Sequence, residues 1–256
     1  MYWPLLIEAV VSLTSGLRAH LPWVLLTSGL VIQAAGVVVL AHRYSHAVRA
    51  DVPATAAVRP PDLVPDVAMP EHARLAVPIV GGKVPQDPAL LPGARRAYRG
   101  GKHEGVDFSC SPGTPVLAAA AGWVLSIDDE PNLPETRRNE VLAYARALGE
   151  TPLEVLQALH GRRIVLCHGI GGGKLLTTSY SHLERVRPGL RPGDRVEQGD
   201  VIGAAGASGT SHAYHRDGWG ELHFEVRLNG EPLGDGLAPA DAGALYRSLL
   251  GKERAE

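Results

Sequence analysis

Residues 221–226 read Glu-Leu-His-Phe-Glu-Val, a segment in which polar and apolar side chains alternate without exception. Such alternation is typical of a β-strand with one buried face, because successive side chains of a strand point to opposite sides. Leu222, Phe224 and Val226 then face a core, and His223 lies at the centre of a polar face. The segment therefore predicts a half-buried strand that carries chemistry on its polar side.

Outward from this strand, short apolar runs alternate with Gly, Pro, Asn and Asp turns throughout residues 75–238. Runs this short and this close together are typical of strands joined by tight turns. The predicted fold class is mainly β, as an antiparallel β-sheet or sandwich domain. Residues 239–256 are predicted to form a C-terminal helix or tail.

One interval, residues 131–160, departs from the strand pattern and predicts a small helical insertion of two short helices. Val141 and Ala145 illustrate the helical spacing of apolar residues there. Thr151, followed by Pro152, is a candidate N-cap for the second helix. The sequence leaves three alternatives for the face of the insertion: structural packing, a lid over a site, or a surface for a partner. Packing is the simplest of the three.

The N-terminal part, residues 1–49, is predicted to be a membrane anchor. No Asp, Glu, Lys or Arg occurs between Arg18 and Arg43, and residues 21–41 are predominantly apolar. About 20 apolar residues span a bilayer as a helix, so a single N-terminal transmembrane helix is predicted in preference to a buried core helix or a cleaved signal peptide. Residues 50–74 contain five prolines, which predict an extended linker.

Charge and cysteine content narrow the function classes. The formal net charge of the 256-residue chain is −2, so the chain lacks the excess of positive charge that is typical of nucleic-acid-binding proteins. Cys110 and Cys167 are the only cysteines in the sequence, too few for a disulfide scaffold or for a cysteine-based zinc site. The two thiols either bridge in an oxidising compartment or remain free and buried.

His103 and Asp107 lie four residues apart, across a turn that leads into a predicted strand. An imidazole and a carboxylate at this spacing can converge on one ion, and His223 is a third candidate ligand. Nitrogen and oxygen donors suit zinc, and three protein ligands with an open position are the arrangement of a catalytic zinc site. By alternation, His182 shares a face with Tyr180. His182 is either a residue that acts beside the metal or a surface histidine at a strand end.

Taken in order along the chain, these segments resemble the lysostaphin/LytM family of zinc peptidases from Arg99 to Gly230, apart from the helical insertion. The matching blocks are His103 to Asp107, the Pro- and Gly-containing turn Ser111 to Val124, Tyr180 to Leu183, the hairpin Gly193 to Gly203, and, in part, Glu221 to Glu225. The resemblance implies that Zn2+ is held by three residues, His103, Asp107 and His223. It also implies that His182 acts on the catalytic side.

The sequence departs from the family at Glu221, where the resemblance implies a histidine that acts beside the metal-bound water. The carboxylate either accepts the proton of that water, as a glutamate does in other zinc peptidases, or ligates the metal and closes the site. A further alternative is that a loop histidine, His212 or His215, replaces the missing imidazole.

The resemblance implies a membrane-anchored zinc metalloendopeptidase that acts on peptidoglycan peptide cross-links, with a cell-wall amidase or division protein as its expected partner. The single-pass anchor then places the domain outside the cytoplasm, although Arg43 and Arg49 after the span, against Arg18 before it, favour a cytoplasmic C-terminus. Glu221 leaves an alternative, a catalytically impaired module that binds cell wall or activates amidases. The hairpin Gly193 to Gly203 also resembles a biotinyl or lipoyl carrier, but the sequence has no lysine turn of that kind.

Overall fold

A computed structural model describes residues 75–130, 132–171, 174–215 and 217–251, which form twelve β-strands and three α-helices. The strands are β1 (Arg95–Arg96), β2 (Gly101–Lys102), β3 (Val106–Cys110), β4 (Pro115–Leu117), β5 (Gly122–Asp128), β6 (Arg163–Gly171), β7 (Lys174–Ser181), β8 (Leu183–Val186), β9 (Arg195–Val196), β10 (Val201–Ala205), β11 (Gly220–Leu228) and β12 (Glu231–Pro232). The helices are α1 (Glu135–Leu148), α2 (Leu153–His160) and α3 (Pro239–Leu249).

The predicted transmembrane helix at 21–41 and the linker at 50–74 lie outside the described residues. Within the described part of the chain, no helix combines the length and the apolar character needed to cross a bilayer. The membrane anchor therefore stays a prediction from the sequence.

The strands form two main sheets and a short ribbon. The larger sheet has seven strands. Six of them follow the order β12-β11-β7-β6-β5-β9, and the seventh, β3, also pairs with β11. The smaller sheet has the order β4-β10-β8, and β1 pairs with β2. All pairings between these strands are antiparallel. The predicted mainly β, antiparallel fold is confirmed.

A single hydrophobic core joins the two main sheets. Leu222, Phe224 and Val226, the apolar face of β11, are each at most 1% exposed. Ile164 of the larger sheet and Ile202 of the smaller sheet belong to the same core. Burial of one such side chain stabilises the fold by about 1.5–3 kcal/mol. It also fixes the register of β11, because a shift of one residue would move the apolar side chains to the polar face.

The alternation predicted for β7 fails at its end. Tyr180 pairs with Phe224 and lies in the core, while Ser181 pairs with His223 on the polar side of the sheet. Regular alternation would return His182 to the side of Tyr180, but the φ of His182 is +63°, in the left-handed region. The predicted common face of Tyr180 and His182 is therefore wrong. The left-handed backbone turns the His182 ring toward His223, with 5.7 Å between the ring centroids.

Hydrogen bonds from two directions hold His182 in this unfavourable backbone conformation, which costs a non-glycine residue about 1–2 kcal/mol. The His182 N–H donates to the carbonyl of His160 at 2.9 Å, and the Gly206 N–H donates to the carbonyl of His182 at 3.0 Å. His160 ends α2, and the next residue, Gly161, has a φ of +60°. A side chain at Gly161 would overlap the backbone of Ser208, so glycine allows the insertion to pass close to this loop.

The helical insertion consists of α1 and α2. The predicted N-cap role of Thr151 is wrong, because α2 has Pro152 at its N-cap and no side-chain cap. The Thr151 hydroxyl instead donates to the carbonyl of Arg99 at 2.8 Å and accepts from Arg99 Nη1 at 2.9 Å. Thr151 thus ties the insertion to the turn before β2.

Both cysteines are free thiols, Cys110 on β3 and Cys167 on β6. Burial raises the pKa of each thiol. Of the two alternatives left open by the sequence, the structure therefore has separate thiols rather than a bridge.

His168 on β6 is a buried histidine that makes folding depend on pH. Its Nδ1 lies 2.9 Å from the carbonyl oxygen of Ala121, and its Nε2 lies 2.7 Å from Thr178 Oγ1. Burial lowers the pKa of His168 below the ordinary value of 6.5. The unfolded chain therefore binds a proton that the folded chain does not, so this contribution to stability is lost as the pH falls below 6.5.

We expect the metal-free chain to be less stable at about pH 5.5 than at about pH 7.5, and His168→Gln to lose less stability over this interval than the wild type. The free energy of unfolding is measured by urea titration at both pH values. His215→Gln changes an exposed histidine and is the control, with a pH dependence like that of the wild type. An identical pH dependence in His168→Gln and wild type would contradict the assignment.

Candidate metal centre

The three side chains predicted as metal ligands meet on the polar face of β11. Asp107 of β3 stands directly opposite His223 of β11 in the antiparallel register, and His103 precedes β3. The His103 Nε2, Asp107 Oδ1 and His223 Nδ1 atoms lie 2.8–3.0 Å from one another. Each residue is at most 6% exposed. Strand pairing thus joins ligands that lie 116 residues apart in the chain.

The two histidines use their other ring nitrogens to fix their orientation. His103 Nδ1 lies 3.1 Å from the carbonyl oxygen of Leu91, and His223 Nε2 lies 2.9 Å from Glu225 Oε1. These acceptors favour protons on the outward nitrogens, which leaves the lone pairs of His103 Nε2 and His223 Nδ1 directed toward Asp107 Oδ1. When His223 is neutral, these three atoms are all acceptors and need a cation between them. Two imidazole nitrogens and one carboxylate oxygen are a donor set that fits zinc.

The surroundings of the ligands favour metal-binding protonation states for His103 and Asp107. Burial lowers the pKa of His103 to about 4. Burial opposes the ionisation of Asp107, but the nearby histidines hold its pKa below the ordinary value, and Arg96 Nη2 donates to its Oδ2 at 2.9 Å. Burial also opposes a charge on His223, yet hydrogen bonds to Asp107 and Glu225 raise its pKa to about 10. In the metal-free chain His223 is therefore protonated, and its positive charge balances the nearby carboxylates. A metal ion that binds to His223 Nδ1 must displace this proton.

His182 and Glu221 form a second pair beside these ligands. His182 Nδ1 lies 2.8 Å from the carbonyl oxygen of Ser208, and its Nε2 lies 3.5 Å from Glu221 Oε1. Burial, assisted by the charge of His223, lowers the pKa of His182 to about 3. Burial and the charge of Asp107 raise the pKa of Glu221 to about 8. At neutral pH the pair therefore carries one proton, on the Glu221 carboxyl group that faces an acceptor nitrogen.

The structure separates the alternatives for position 221. Glu221 does not belong to the cluster able to hold a metal with His103. His212 Nδ1 lies 2.6 Å from Asp217 Oδ2, and its ring stacks on that of Trp219 at a centroid distance of 4.1 Å. His215 is exposed. Among the described residues, neither loop histidine takes the place of the imidazole expected at position 221.

Sequence reasoning missed two residues that support the centre, His160 and Glu225. Glu225 is 1% exposed, and its carboxylate lies 3.2 Å from His160 Nε2 and 2.6 Å from Arg227 Nε. The rings of His160 and His223 are stacked with their centroids 5.3 Å apart. Strand alternation already places Glu225 on the face of His223. His160 ends an inserted helix, and no spacing in the sequence connects it to β11.

We expect His160→Ala to weaken zinc binding by about 10- to 100-fold, the usual cost of removing a group that orients a metal ligand. The substitution removes a donor to Glu225 and the ring stacked on His223, so the His223 ring is less firmly oriented. His160→Gln retains an N–H donor and should recover most of the affinity. Zinc affinity is measured by competition with a chelator, and thermal unfolding of the metal-free variants is the control. Equal losses in both variants, parallel to losses in stability, would indicate a purely structural role.

The centre opens into a cavity of about 540 Å³, a volume sufficient for a peptide segment. Its lining includes all five site residues predicted from the sequence, His103, Asp107, His182, Glu221 and His223. Helices α1 and α2 also contribute to the lining, through Leu142 and Leu156 respectively. The insertion is therefore a wall of the site as well as a packing element.

A family model described as peptidase family M23 matches residues 101–234, just over half of the chain. An uncharacterized protein of Mycobacterium tuberculosis is 31% identical over 149 residues, which cover 57% of this chain and 27% of that protein. A Haemophilus influenzae protein described as an uncharacterized metalloprotease is 33% identical over 131 residues, which cover 51% of this chain and 20% of that protein.

Among solved structures, the catalytic domain of the antimicrobial peptidase lysostaphin from Staphylococcus simulans is 24% identical and has a TM-score of 0.32. The match covers 50% of this chain and 68% of that chain. The curated relatives are much longer proteins, of which the match spans 27% and 20%.

Proposed function

Since this chain belongs to peptidase family M23, we propose that it is a membrane-anchored zinc endopeptidase that hydrolyses the peptide cross-links of peptidoglycan. The observation that carries the proposal is the convergence of His103 Nε2, Asp107 Oδ1 and His223 Nδ1 to within 3.0 Å, beside the His182–Glu221 pair. Three protein ligands and an adjoining proton-transfer pair on the wall of a cavity are what metal-assisted peptide hydrolysis requires.

The donor set supports zinc as the ion. Two imidazoles and one carboxylate suit zinc, whereas magnesium and calcium prefer oxygen ligands alone. When bound, zinc supplies a Lewis acid that acidifies water and polarises a carbonyl group. His103, Asp107 and His223 would hold it, with Leu91, Glu225 and Arg96 fixing the orientation of these three side chains.

Glu221 is proposed as the general base. Its charged form is favoured by a cation nearby, which offsets the burial that raises its pKa to about 8. The Glu221 carboxylate then accepts a proton from the attacking water. The proton stays on Glu221, because burial keeps the pKa of His182 far below that of Glu221. His182 Nε2, at 3.5 Å, accepts a hydrogen bond from the protonated carboxyl group and positions it. Glu221 then transfers the proton to the leaving amine as the C–N bond breaks.

Peptidoglycan as the substrate, and the membrane as the location, are proposed from the sequence. The blocks that resemble the lysostaphin/LytM family support a wall peptide as substrate. The apolar residues 21–41 support a single-pass anchor with the domain on the outer side, where the wall is found. A cell-wall amidase or a division protein is the partner class proposed on the same basis.

Glu221 favours a second candidate function, a module that binds cell wall or activates amidases without cleaving peptides. A carboxyl group that stays protonated cannot act as a base. The burial and the nearby Asp107 charge that raise the Glu221 pKa act in this direction. The two functions share the zinc ligands and differ in whether Glu221 ionises in the zinc-loaded protein.

The experiment that tests the first proposal uses the full chain, purified in detergent and loaded with zinc, and cross-linked peptidoglycan. We expect new free amino groups to appear, and none to appear after removal of zinc by a chelator. Stoichiometric zinc without new amino groups, together with faster cleavage by an added amidase, would contradict the first function and support the second.

A further inference from the structure

One part of the cavity lining carries positive charge without a matching negative charge. Arg95, Arg99 and Arg138 line the cavity, and none of them has a carboxylate oxygen within 4.0 Å among the described residues. The acidic side chains in the described lining are Asp107 and Glu221. Both are already engaged, Asp107 with the metal-ligand histidines and Glu221 with His182.

Arg99 is the most buried of the three arginines, with an exposure of 5%. Its Nη1 donates to Thr151 Oγ1 at 2.9 Å, and its Nη2 donates to the carbonyl of Lys102. Both acceptors are uncharged. The carboxylate of Glu104 is ion-paired with Arg227 Nη2 at 2.6 Å. A buried guanidinium held by neutral acceptors has lost hydration, which an anion in the cavity would offset.

Arg138 belongs to the inserted helix α1, and its charged side chain lines the cavity. Its Nε donates to the carbonyl of Gly209 at 3.1 Å, which fixes the half-buried side chain against the cavity loop. Leu142, one turn further along α1, and Leu156 of α2 line the same cavity. Apolar neighbours weaken the screening of charge by water, so a pair formed here is stronger than one on an open surface.

From this charge imbalance we propose that the three cavity-lining arginines, the arginine wall, bind a free carboxylate group of the substrate peptide. Arg138 determines the specificity for this carboxylate. The inference rests on the proposed function, in which a peptide enters the cavity to reach the metal centre. Guanidinium groups match carboxylates through two parallel hydrogen bonds, which gives geometric selectivity as well as attraction. Arg99 and Arg95 add positive charge around the same ligand.

The test compares two forms of one cross-linked peptide dimer, with free carboxylates and with the same groups amidated, as substrates of the zinc-loaded full chain. We expect kcat/KM to be at least about tenfold higher for the carboxylate form, the effect of a single charged hydrogen-bonded pair. Arg138→Gln should bring this ratio close to one. Arg146→Gln is the matched control, because Arg146 lies exposed on the same helix and outside the cavity lining, and it should keep the wild-type ratio.

Binding of both dimers to the Glu221→Ala chain, measured by calorimetry, separates this inference from the proposed function. If the wild type cleaves neither dimer, the proposed hydrolysis fails. Tighter binding of the carboxylate dimer that is lost on adding Arg138→Gln would then still support the arginine site. Equal binding of the two dimers, or a preference that persists in Arg138→Gln, would overturn the inference whether or not the chain cleaves peptides.

Discussion

Asp107→Ala is expected to abolish stoichiometric zinc binding and to reduce peptide hydrolysis by more than the roughly 100-fold that loss of an outer contact costs. The substitution removes the one carboxylate of the ligand set and its contacts to His103, His223 and Arg96. Two imidazoles alone do not complete the three-ligand arrangement of a catalytic zinc site. The remaining histidines also lose the anion that compensates the charge of the ion.

Zinc content per chain, by elemental analysis after dialysis, and release of amino groups from cross-linked peptidoglycan measure this effect. Asp235→Ala removes an exposed aspartate outside the cavity lining and should leave both quantities unchanged. Full zinc content in the Asp107→Ala chain would remove Asp107 from the ligand set. Full activity with little zinc would remove the metal from the mechanism.

Glu221→Ala is expected to lower kcat by about 10²- to 10⁴-fold, the usual contribution of a general base, while zinc content stays at the wild-type level. Glu221→Gln should be similarly impaired, because the amide keeps the shape of the side chain but does not accept the proton. Glu221→His introduces the imidazole that the resemblance implies at this position, so we expect it to retain activity. An imidazole has an ordinary pKa close to neutral pH and serves as a base there.

Turnover of a cross-linked peptide by the three variants, together with zinc content and thermal unfolding, tests this role. Burial and the charge of Asp107 raise the pKa of Glu221, so its ionised form is disfavoured in the folded metal-free chain. Glu221→Gln keeps the shape of the side chain, so its thermal unfolding separates lost activity from lost stability. Full activity of Glu221→Ala would show that Glu221 is not the base.

The sequence predicts the strand β11 well, because one of its faces is buried. Leu222, Phe224 and Val226 alternate with polar residues, and a core on one side of a sheet enforces that period. The same reasoning places Glu225 on the face of His223. The strand pairing that sets Asp107 opposite His223 is long-range information, and local spacing does not contain it.

The residues that sequence reasoning misplaced have identifiable physical causes. His182 leaves the strand period because its backbone is left-handed, held by the carbonyl of His160 and the amide of Gly206. Thr151 has the residue type of an N-cap, but its hydroxyl is bonded to Arg99 from another part of the chain. In each case a tertiary contact overrides a local preference, and no local pattern reports such a contact.

His160 shows why an insertion is the least predictable part of a site. Its helix packs by an ordinary apolar pattern, with Val155, Leu156 and Leu159 buried. The following His160 side chain meets Glu225 and His223 because the insertion ends above β11. Family blocks describe what members share, so a supporting residue supplied by an insertion lies outside them. Only the folded chain reveals it.

The claim that His103, Asp107 and His223 hold one zinc ion is tested most directly by anomalous X-ray diffraction from crystals of the zinc-loaded chain. The predicted result is one zinc per chain, with His103 Nε2, Asp107 Oδ1 and His223 Nδ1 at about 2.0–2.2 Å from the ion and Glu221 outside the ligand set. Zinc held instead between His160 and Glu225, or bound without contact to these three atoms, would contradict the account.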